Sequence, residues 1–435
     1  MQLTRRSFLG GAAGAVMVAG AMTRGAVFGA NDRVVIGSIG VGNRGAGLAR
    51  DFHGYDDVEI AAIADVDREA AESVAAHVDG ADIYNDYREL LERDDIDAVI
   101  IATPLHWHAL NTIHAAQAGK DIYCEKCISN TIREGRLMME AVRKYDVIFQ
   151  TGSQQRSGQR EYDACTHVRN GSIGDIVTIE AYNYHSPVEF AHHAEPIPDH
   201  VDWDLWLGPA PMHPYNFSVF DNRSEPSWST VWPFSGGDMT DGGAHGLDMA
   251  QWGLGMDDSG PVEVWTEGEP FVRQYSTDDN PAGRHQGPRS PIVHMRYPNG
   301  TVMELTGAPK FGVKFIGEDG TIEVGRNHFD SDPPELMQEP LEDPGSELYH
   351  SEHHFRNWVE CVREHEDPVA PVEAGHRSAN VCHLGNIARW VSEVTQETGV
   401  TLEWDPEAEE FTNSKVGNHF LDMPRRAEFE LPDTV

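Results

Sequence analysis

The run Arg33-Val-Val-Ile-Gly-Ser-Ile-Gly40 passes directly into Gly40-Val-Gly-Asn-Arg-Gly45, and this junction constrains the fold more than any other feature of the chain. A β-branched apolar run of this length is the pattern of a strand buried on both faces of a parallel sheet. The residues that follow, Ala46 to Phe52, suit a helix. Set between strand and helix, a G-x-G-x-x-G lets the turn close and lets the backbone approach a pyrophosphate. It also lets the helix pack tightly on the strand. The phosphates then meet the free N–H groups and the positive dipole end of the helix.

The next segments repeat the unit. Val58–Ala64 reads as a second strand ending at Asp65, twenty residues after Gly45. A carboxylate there is placed to accept hydrogen bonds from an adenosine ribose. It would repel a 2′-phosphate, so NAD is favoured over NADP. The alternative for Asp65 is a plain turn residue. Strands at Ala98–Ala102, Asp121–Cys124 and Val147–Thr151 alternate with helices at Arg68–His77, Trp107–Ala118 and Thr131–Arg143. Such alternation predicts a doubly wound parallel sheet over 31–152, a Rossmann arrangement. Thr103-Pro104 falls just past a strand's carboxyl end, where these sheets bind ligands.

From about Gly152 the period changes. Apolar and polar residues alternate over Ile176–Asn183, Val262–Thr266, Val293–Tyr297, Thr301–Thr306 and Phe311–Gly317. Turns such as Pro298-Asn-Gly300 and Glu318-Asp-Gly320 join several of them. An antiparallel sheet with one covered face is expected, in an α+β domain over 153–395. Helices are expected at Glu352–Arg363 and Glu373–Val391. Gln274–Ser290 is expected as a surface loop, and a Pro- and charge-rich tail, 396–435, packs on the domains.

Three groups of polar residues carry candidate chemistry. Glu125-Lys126 ends a predicted strand on the edge that faces a cofactor, where a lysine can donate to a hydroxyl or developing alkoxide. Alone, such a pair is usually a solvated surface. Asp241-Gly-Gly-Ala-His245 opens a segment of helical spacing, and residues four apart share a helix face. The carboxylate could orient an imidazole that moves a substrate proton; a helix cap beside a packed histidine is the alternative. The 22 histidines invite a metal reading. Yet His106-x-His108, His192-His193, His185, His200 and His213 match no zinc spacing, so no metal is expected. Cys124-Glu-Lys-Cys127 is formally a C-x-x-C, but Cys124 belongs to a strand, which argues for two free thiols.

Composition excludes one class of function. The chain has 71 Asp+Glu against 33 Lys+Arg, a net charge of −38, and only six of its cations are Lys. That field repels phosphate backbones, so nucleic acid is no partner. An acidic, lysine-poor surface fits a protein whose self-repulsion is relieved by high salt. Five Cys form no disulfide scaffold. At the N-terminus, Thr4-Arg-Arg-Ser-Phe-Leu9 precedes a Gly/Ala-rich apolar run to Met22. The pair of arginines resembles a twin-arginine export motif, so residues 1–30 are expected as a signal handled by the twin-arginine machinery. Cleavage is expected at Ala19-Gly-Ala21 or nearer Ala30, and a periplasmic or secreted location follows.

Together these motifs resemble the Gfo/Idh/MocA family, named for glucose–fructose oxidoreductase, inositol dehydrogenase and a rhizopine-catabolism protein. The resemblance runs from Val34 to about residue 395. It rests on Gly40–Gly45, Asp65, Ala102-Thr103-Pro104 with His108, Ala118-Gly-Lys120 before Glu125-Lys126, and Asp241-x-x-x-His245. Thr151-Gly-Ser-Gln-Gln-Arg156, Trp203–Pro209 and Gly375-His-Arg-Ser378 look like an exported branch. The resemblance implies that Gly40, Gly42, Asn43, Arg44, Gly45, Asp65, Thr103, Pro104, His108 and Glu125 hold NAD. It also implies that Lys126 binds the reacting hydroxyl, His245 is the acid/base, and Asp241 binds or orients substrate. Sugars, polyols or glycosides are the implied substrates, and a homo-dimer or homo-tetramer the implied assembly. Two positions depart from the family: Cys127 replaces a proline, and Gly246 stands where many exported relatives carry a second histidine.

The leading expectation is an NAD-dependent oxidoreductase acting on a sugar or polyol hydroxyl. Outside the cytoplasm a dissociating cofactor would be lost, so a tightly bound one is expected. The alternative is an NAD-dependent glycoside hydrolase or lyase that oxidises C3 transiently. A non-catalytic sugar-binding protein, motivated by Cys127 and Gly246, is the third reading.

Overall fold

The computed structural model describes residues 33–435, except 222, 225, 282–289, 309, 327, 339–340, 342–344 and 346–347. The expected export signal, 1–30, lies outside the described residues. Among the described residues no helix is long and apolar enough to cross a membrane.

The first lobe alternates β1 (Val34–Ile39), α1 (Asn43–His53), β2 (Val58–Ala64), α2 (Arg68–Ala75), β3 (Asp82–Tyr84), α3 (Tyr87–Leu91), β4 (Ala98–Ile101), α4 (His108–Gln117), β5 (Asp121–Cys124), α5 (Ile132–Tyr145) and β6 (Phe149–Thr151). The strands form one parallel sheet in the order β3-β2-β1-β4-β5-β6. The order reverses between β1 and β4, and a cleft opens there beyond the strand ends. Sequence patterning missed β3 and α3. A three-residue edge strand with Asp82 and Ile83 exposed carries no hydrophobic run to detect.

Buried β-branched residues explain the central strands: β4 is Ala-Val-Ile-Ile, every residue buried. Helix α5 starts where Thr131 accepts from the Glu134 N–H and the Glu134 carboxylate accepts from the Asn130 N–H at 2.7 Å. This pair of contacts, a capping box shifted by one residue at its backbone donor, fixes the end of the loop that carries Glu125-Lys126.

The second lobe contains α6 (Gln159–Arg169), β7 (Ile176–Ala181), β8 (Glu189–Ala191), α7 (Trp203–Leu207), α8 (Phe217–Phe220), α9 (Gly243–Leu254), β9 (Glu263–Glu267), β10 (Tyr275–Thr277), β11 (Ile292–Arg296), β12 (Val302–Leu305), β13 (Gly312–Gly317), β14 (Thr321–Gly325) and β15 (His328–Asp332). It ends with α10 (His354–Glu364), α11 (Val372–Thr395), β16 (Leu402–Asp405), β17 (Glu410–Phe411) and α12 (Lys415–His419). Nine strands form a mostly antiparallel sheet, β15-β14-β13-β7-β12-β11-β9-β16-β17, with β7 and β12 the parallel pair. The fold is thus a Rossmann lobe joined to an α+β lobe with an open, mixed sheet.

One expectation is corrected. Within Gln274–Ser290, Tyr275–Thr277 is a strand paired with β8, because Ser276 is buried against that pair. In the tail, Leu402 and Trp404 alternate with Glu403 and Asp405, and β16 hydrogen-bonds to β9. The lobes are also interleaved. Helix α10 returns to the Rossmann sheet, where Trp358 is wholly buried against Phe52 and Tyr123 at ring separations of 5.2 and 5.7 Å. Burying an aromatic side chain of this size contributes roughly 2–3 kcal/mol.

Candidate active site

A cleft of about 1170 Å³ runs past the ends of β1, β2, β4 and β5. It is lined by Gly40, Gly42, Asn43, Arg44, Asp65, Thr103, Pro104, His108, Glu125, Lys126, Asp241 and His245. Twelve of the thirteen candidate residues therefore meet in one place. Gly45 sits behind the loop: a Cβ there would lie 1.9 Å from the Gly40 carbonyl oxygen. Gly40 has φ +79°, and its Cβ would meet the Thr103 amide nitrogen at 2.7 Å, so the β1 and β4 turns touch. Gly42 has open space where a Cβ would stand. It also precedes α1 without a capping side chain. The first-turn N–H groups of α1 are thereby left for an anion, as a pyrophosphate requires.

Asp65 is held by the loop it faces: Oδ2 accepts from the Val41 N–H at 2.6 Å and Oδ1 from the Asp67 N–H at 2.8 Å. Burial pushes its carboxyl up to about 6, against the pull of those amides. His108 is buried, with ring nitrogens 2.9 Å from the Thr103 and Cys127 carbonyls. It ties the β4 turn to the lysine loop. Glu125 accepts from Arg44 Nε at 2.7 Å and from Gln154 Nε2 at 3.1 Å.

Lys126 reaches across the lobes. Its Nζ donates to Asp241 Oδ1 at 2.7 Å and to the Asp241 carbonyl at 3.2 Å. Burial opposes the ammonium, but the Asp241 carboxylate prevails and the lysine pKa is raised. Asp241 is lowered, burial being outweighed by Lys126. The Lys126–Cys127 peptide bond is cis. Asp241 lies just before α9 instead of within it, so its carboxylate serves Lys126, and no hydrogen bond joins it to His245. Burial, then the Lys126 and Arg326 charges, hold the His245 imidazole well below its ordinary pKa, so it is neutral at neutral pH. Gly246 is obligatory: a Cβ would lie 2.5 Å from Tyr184 Oη and 2.8 Å from the Gly312 carbonyl oxygen. The space of a second histidine is filled by strand β13.

Sequence patterning missed Arg326 and Phe311. Arg326 Nη2 is 3.0 Å from His245 Nε2, and its guanidinium lies over the Phe311 ring, 5.0 Å from the centroid. Both arrive from the far sheet and carry no local motif. The Trp-rich segment between β8 and α9 has no chemical motif of its own beyond the family likeness of Trp203–Pro209. It contributes Leu205, Trp206, Phe217, Phe220 and Trp228 to the cleft. It docks on the Rossmann lobe through Asp202 N–H to Val66 O at 2.9 Å, Asn85 Nδ2 to Asp202 Oδ2 at 3.0 Å, and His200 Nδ1 against Asp67 Oδ1 at 2.8 Å.

Elsewhere Cys127 and Cys382 are hydrogen-bonded to each other, and the remaining histidines are spread among separate contacts. His192 and His193 both approach Asp278 at 3.0 Å, and His106 Nε2 lies 3.0 Å from the Trp206 carbonyl. Among the described residues no group of three His, Cys, Asp or Glu could hold a metal. All five cysteines are free and buried.

Comparison with known proteins agrees with this architecture. Residues 34–153 match the family model described as oxidoreductase family, NAD-binding Rossmann fold. Residues 181–431 match the model for the oxidoreductase family C-terminal alpha/beta domain. An uncharacterized oxidoreductase of Streptococcus pneumoniae is 35% identical over 144 residues, 33% of this chain and 38% of that protein. A glycosyl hydrolase family 109 protein of Shewanella pealeana is 31% identical over 176 residues, 38% of this chain and 39% of that protein. The chain thus spans about two fifths of these relatives' length. The WlbA dehydrogenase of Bordetella pertussis, solved with NADH and UDP-GlcNAcA, shares the fold with a TM-score of 0.59. It is 18% identical, over 86% of this chain and 99% of that one. Myo-inositol dehydrogenase of Lactobacillus casei gives a TM-score of 0.55 at 17% identity, over 88% and 99%. With both lobes matched in order, the chain belongs to the Gfo/Idh/MocA family of oxidoreductases, which carry a nicotinamide cofactor on a Rossmann domain.

Proposed function

We propose that this protein is an NAD-dependent oxidoreductase acting on a hydroxyl of a sugar or polyol. The observation that carries this reading is the convergence of Lys126, Asp241 and His245 in the same cleft as the Gly40–Gly45 loop. The residues present fit the cofactor: Gly42 leaves a cradle that a Cβ would fill, and α1 offers uncapped N–H groups. Asp65 and Asp67 line the cleft beyond β2, and no Lys or Arg is among the described lining residues from Ala64 to Tyr87. That end suits ribose hydroxyls and disfavours a 2′-phosphate, which supports NAD over NADP. When bound, the nicotinamide supplies a hydride acceptor.

The chain's own groups do the proton work. Asp241 keeps Lys126 charged and aimed, and the ammonium donates to the substrate oxygen as negative charge develops there. His245, neutral, receives the hydroxyl proton through Nε2. Leu205, Trp206, Phe217, Phe220 and Trp228 shield the cleft from water.

The relatives named glycosyl hydrolase family 109 favour a second reading, glycoside cleavage through a transient C3 ketone with no net redox change. We further propose twin-arginine export, a tightly held cofactor and a homo-dimer or homo-tetramer. The test is to purify the exported protein, denature it and quantify NAD and NADP per chain. Sugars are then screened for reduction of the bound nicotinamide, and glycosides for cleavage without its net reduction. About one NAD per chain with sugar-dependent reduction supports the first reading; an empty chain that binds neither dinucleotide overturns both.

A further inference from the structure

The charges at the reacting end of the cleft are unequally matched. Three lining residues are Lys or Arg: Arg44, Lys126 and Arg326. Arg44 is paired with Glu125 and Lys126 with Asp241, each at 2.7 Å. Arg326 makes no ion pair among the described residues, in a chain where carboxylates outnumber Lys and Arg by 71 to 33. Glu161, which also lines the cleft and feels its charge, does not pair with it. The guanidinium is instead steadied on the Phe311 ring and points Nη2 at His245 Nε2, 3.0 Å away.

That contact has one chemical reading. A guanidinium has no acceptor, so Nε2 of the neutral imidazole must accept, and the imidazole proton sits on Nδ1. The lone pair that would take a substrate proton is therefore already occupied. A ligand freeing it must offer the guanidinium a better acceptor, and a planar carboxylate matches the arginine fork with two parallel hydrogen bonds. A neutral sugar offers only hydroxyls.

We propose that Arg326 is a substrate-specificity residue that selects a sugar acid bearing a carboxylate, and that it covers the His245 base until such a substrate draws it away. This rests on the cleft being a sugar oxidoreductase site. In the bound state the carboxylate accepts from Arg326, His245 Nε2 is released, and the substrate hydroxyl meets Lys126 and His245 together.

The experiment uses the holoenzyme with methyl glucuronide, galacturonide and mannuronide, each beside its neutral parent glycoside at equal concentration. Binding is read by calorimetry and oxidation by single-turnover reduction of the bound nicotinamide. The expected result is preferential binding of a uronide. In Arg326→Gln binding of that uronide weakens by about 10–100-fold, as for loss of a charged hydrogen-bonded pair, while the affinity for the neutral parent does not fall by a like factor. Arg326→Lys retains part of the preference. Equal binding of uronide and parent by the wild type overturns the proposal, as does an equal loss of both in Arg326→Gln. Neutral sugars reducing the cofactor while uronides do not overturns the inference alone. Failure of every sugar to bind a NAD-loaded protein overturns the underlying reading with it.

Discussion

Lys126 Nζ and Asp241 Oδ1, 115 positions apart in sequence, stand 2.7 Å apart across the two lobes. The pair makes the reacting end of the cleft an inter-lobe structure. Lys126 hangs from the loop after a Rossmann strand, whereas Asp241 precedes the first turn of α9. Lys126→Ala should lower kcat by about 10²–10⁴-fold, the range for a lost charge stabiliser or acid–base group. Asp241→Asn should retain more activity, because the ammonium remains but is no longer held. Steady-state kinetics on the best sugar of the screen decides: a Lys126→Ala variant with undiminished kcat removes this residue from the chemistry.

The glycines of the loop separate folding from cofactor binding. A Cβ on Gly45 would strike the Gly40 carbonyl at 1.9 Å, whereas one on Gly42 would enter open cleft. Gly45→Ala should therefore lower Tm together with NAD content. Gly42→Ala should leave Tm of the cofactor-free protein unchanged and reduce the NAD recovered per chain. Equal Tm losses in the two variants would contradict this division.

Much of this was legible in the sequence because the Rossmann signals are local. Val34–Ile39 announces a buried strand, Gly40–Gly45 a tight turn, and Asp65 the end of β2, each within about ten residues of the feature it sets. Lys126 and His245 were found because each sits in a short motif at an element's end. Arg326 and Phe311 were not. Their relation to His245 arises from the registers of β13 and β14 in the far sheet, which pair Val313 with Val324, and no local spacing encodes that pairing. Strand β16 did carry its alternation, Leu-Glu-Trp-Asp, but a charge-rich context hid it.

Behind the cleft, Arg156 donates to both oxygens of Asp248, the closest approach being 2.7 Å, and Ser378 donates to the same carboxylate at 2.5 Å. Both ends of the Arg156–Asp248 pair are almost wholly buried. Arg156 also donates to both oxygens of Asp257, at 3.0 and 2.7 Å, so it is loss of the arginine that leaves the buried Asp248 carboxylate unmatched, which costs about 3–5 kcal/mol. Arg156→Met should lose this much in urea titration, Asp248→Ala should lose less because Asp257 still pairs the guanidinium, and the Arg156→Met/Asp248→Leu double variant should be less destabilised than Arg156→Met alone.

Buried neutral histidines set the acid limit. Burial lowers His106 and His383 to about 4 and His354 to about 3 from an ordinary 6.5, and His245 is also strongly depressed. Below 6.5 the unfolded chain binds protons that the native chain refuses, so stability falls as pH drops from about 6.5 toward 4. Each group contributes up to ~1.4 kcal/mol per pH unit. Asp65, raised to about 6, works in the opposite sense below that pH and offsets one histidine. Urea midpoints should fall between pH ~7 and ~5, with a shallower slope in His106→Asn. A midpoint independent of pH would refute the assignment.

Cofactor retention should depend on the Trp-rich segment between β8 and α9. Trp203 and Trp206 stack at 4.5 Å and 14°, and the Trp206 carbonyl accepts from Trp107 Nε1 at 3.0 Å. This stiff unit is fastened beside Asp65 by Asp202, whose carboxylate accepts from Asn85 Nδ2 and, through its other oxygen, from the Leu205 N–H in the first turn of α7. Its aromatic residues line the same cleft as the glycine loop, so loosening the segment should ease the departure of a bound dinucleotide. Asp202→Ala removes the Asn85 hydrogen bond and the helix cap together, worth about 1–2 kcal/mol, while the backbone contact to Val66 and the His200–Asp67 contact remain. NAD dissociation, followed by exchange against isotopically labelled NAD, should quicken by about tenfold. The Arg326→Gln variant, which alters the other end of the cleft, should exchange at the wild-type rate. Unchanged exchange in Asp202→Ala would show that this segment does not retain the cofactor.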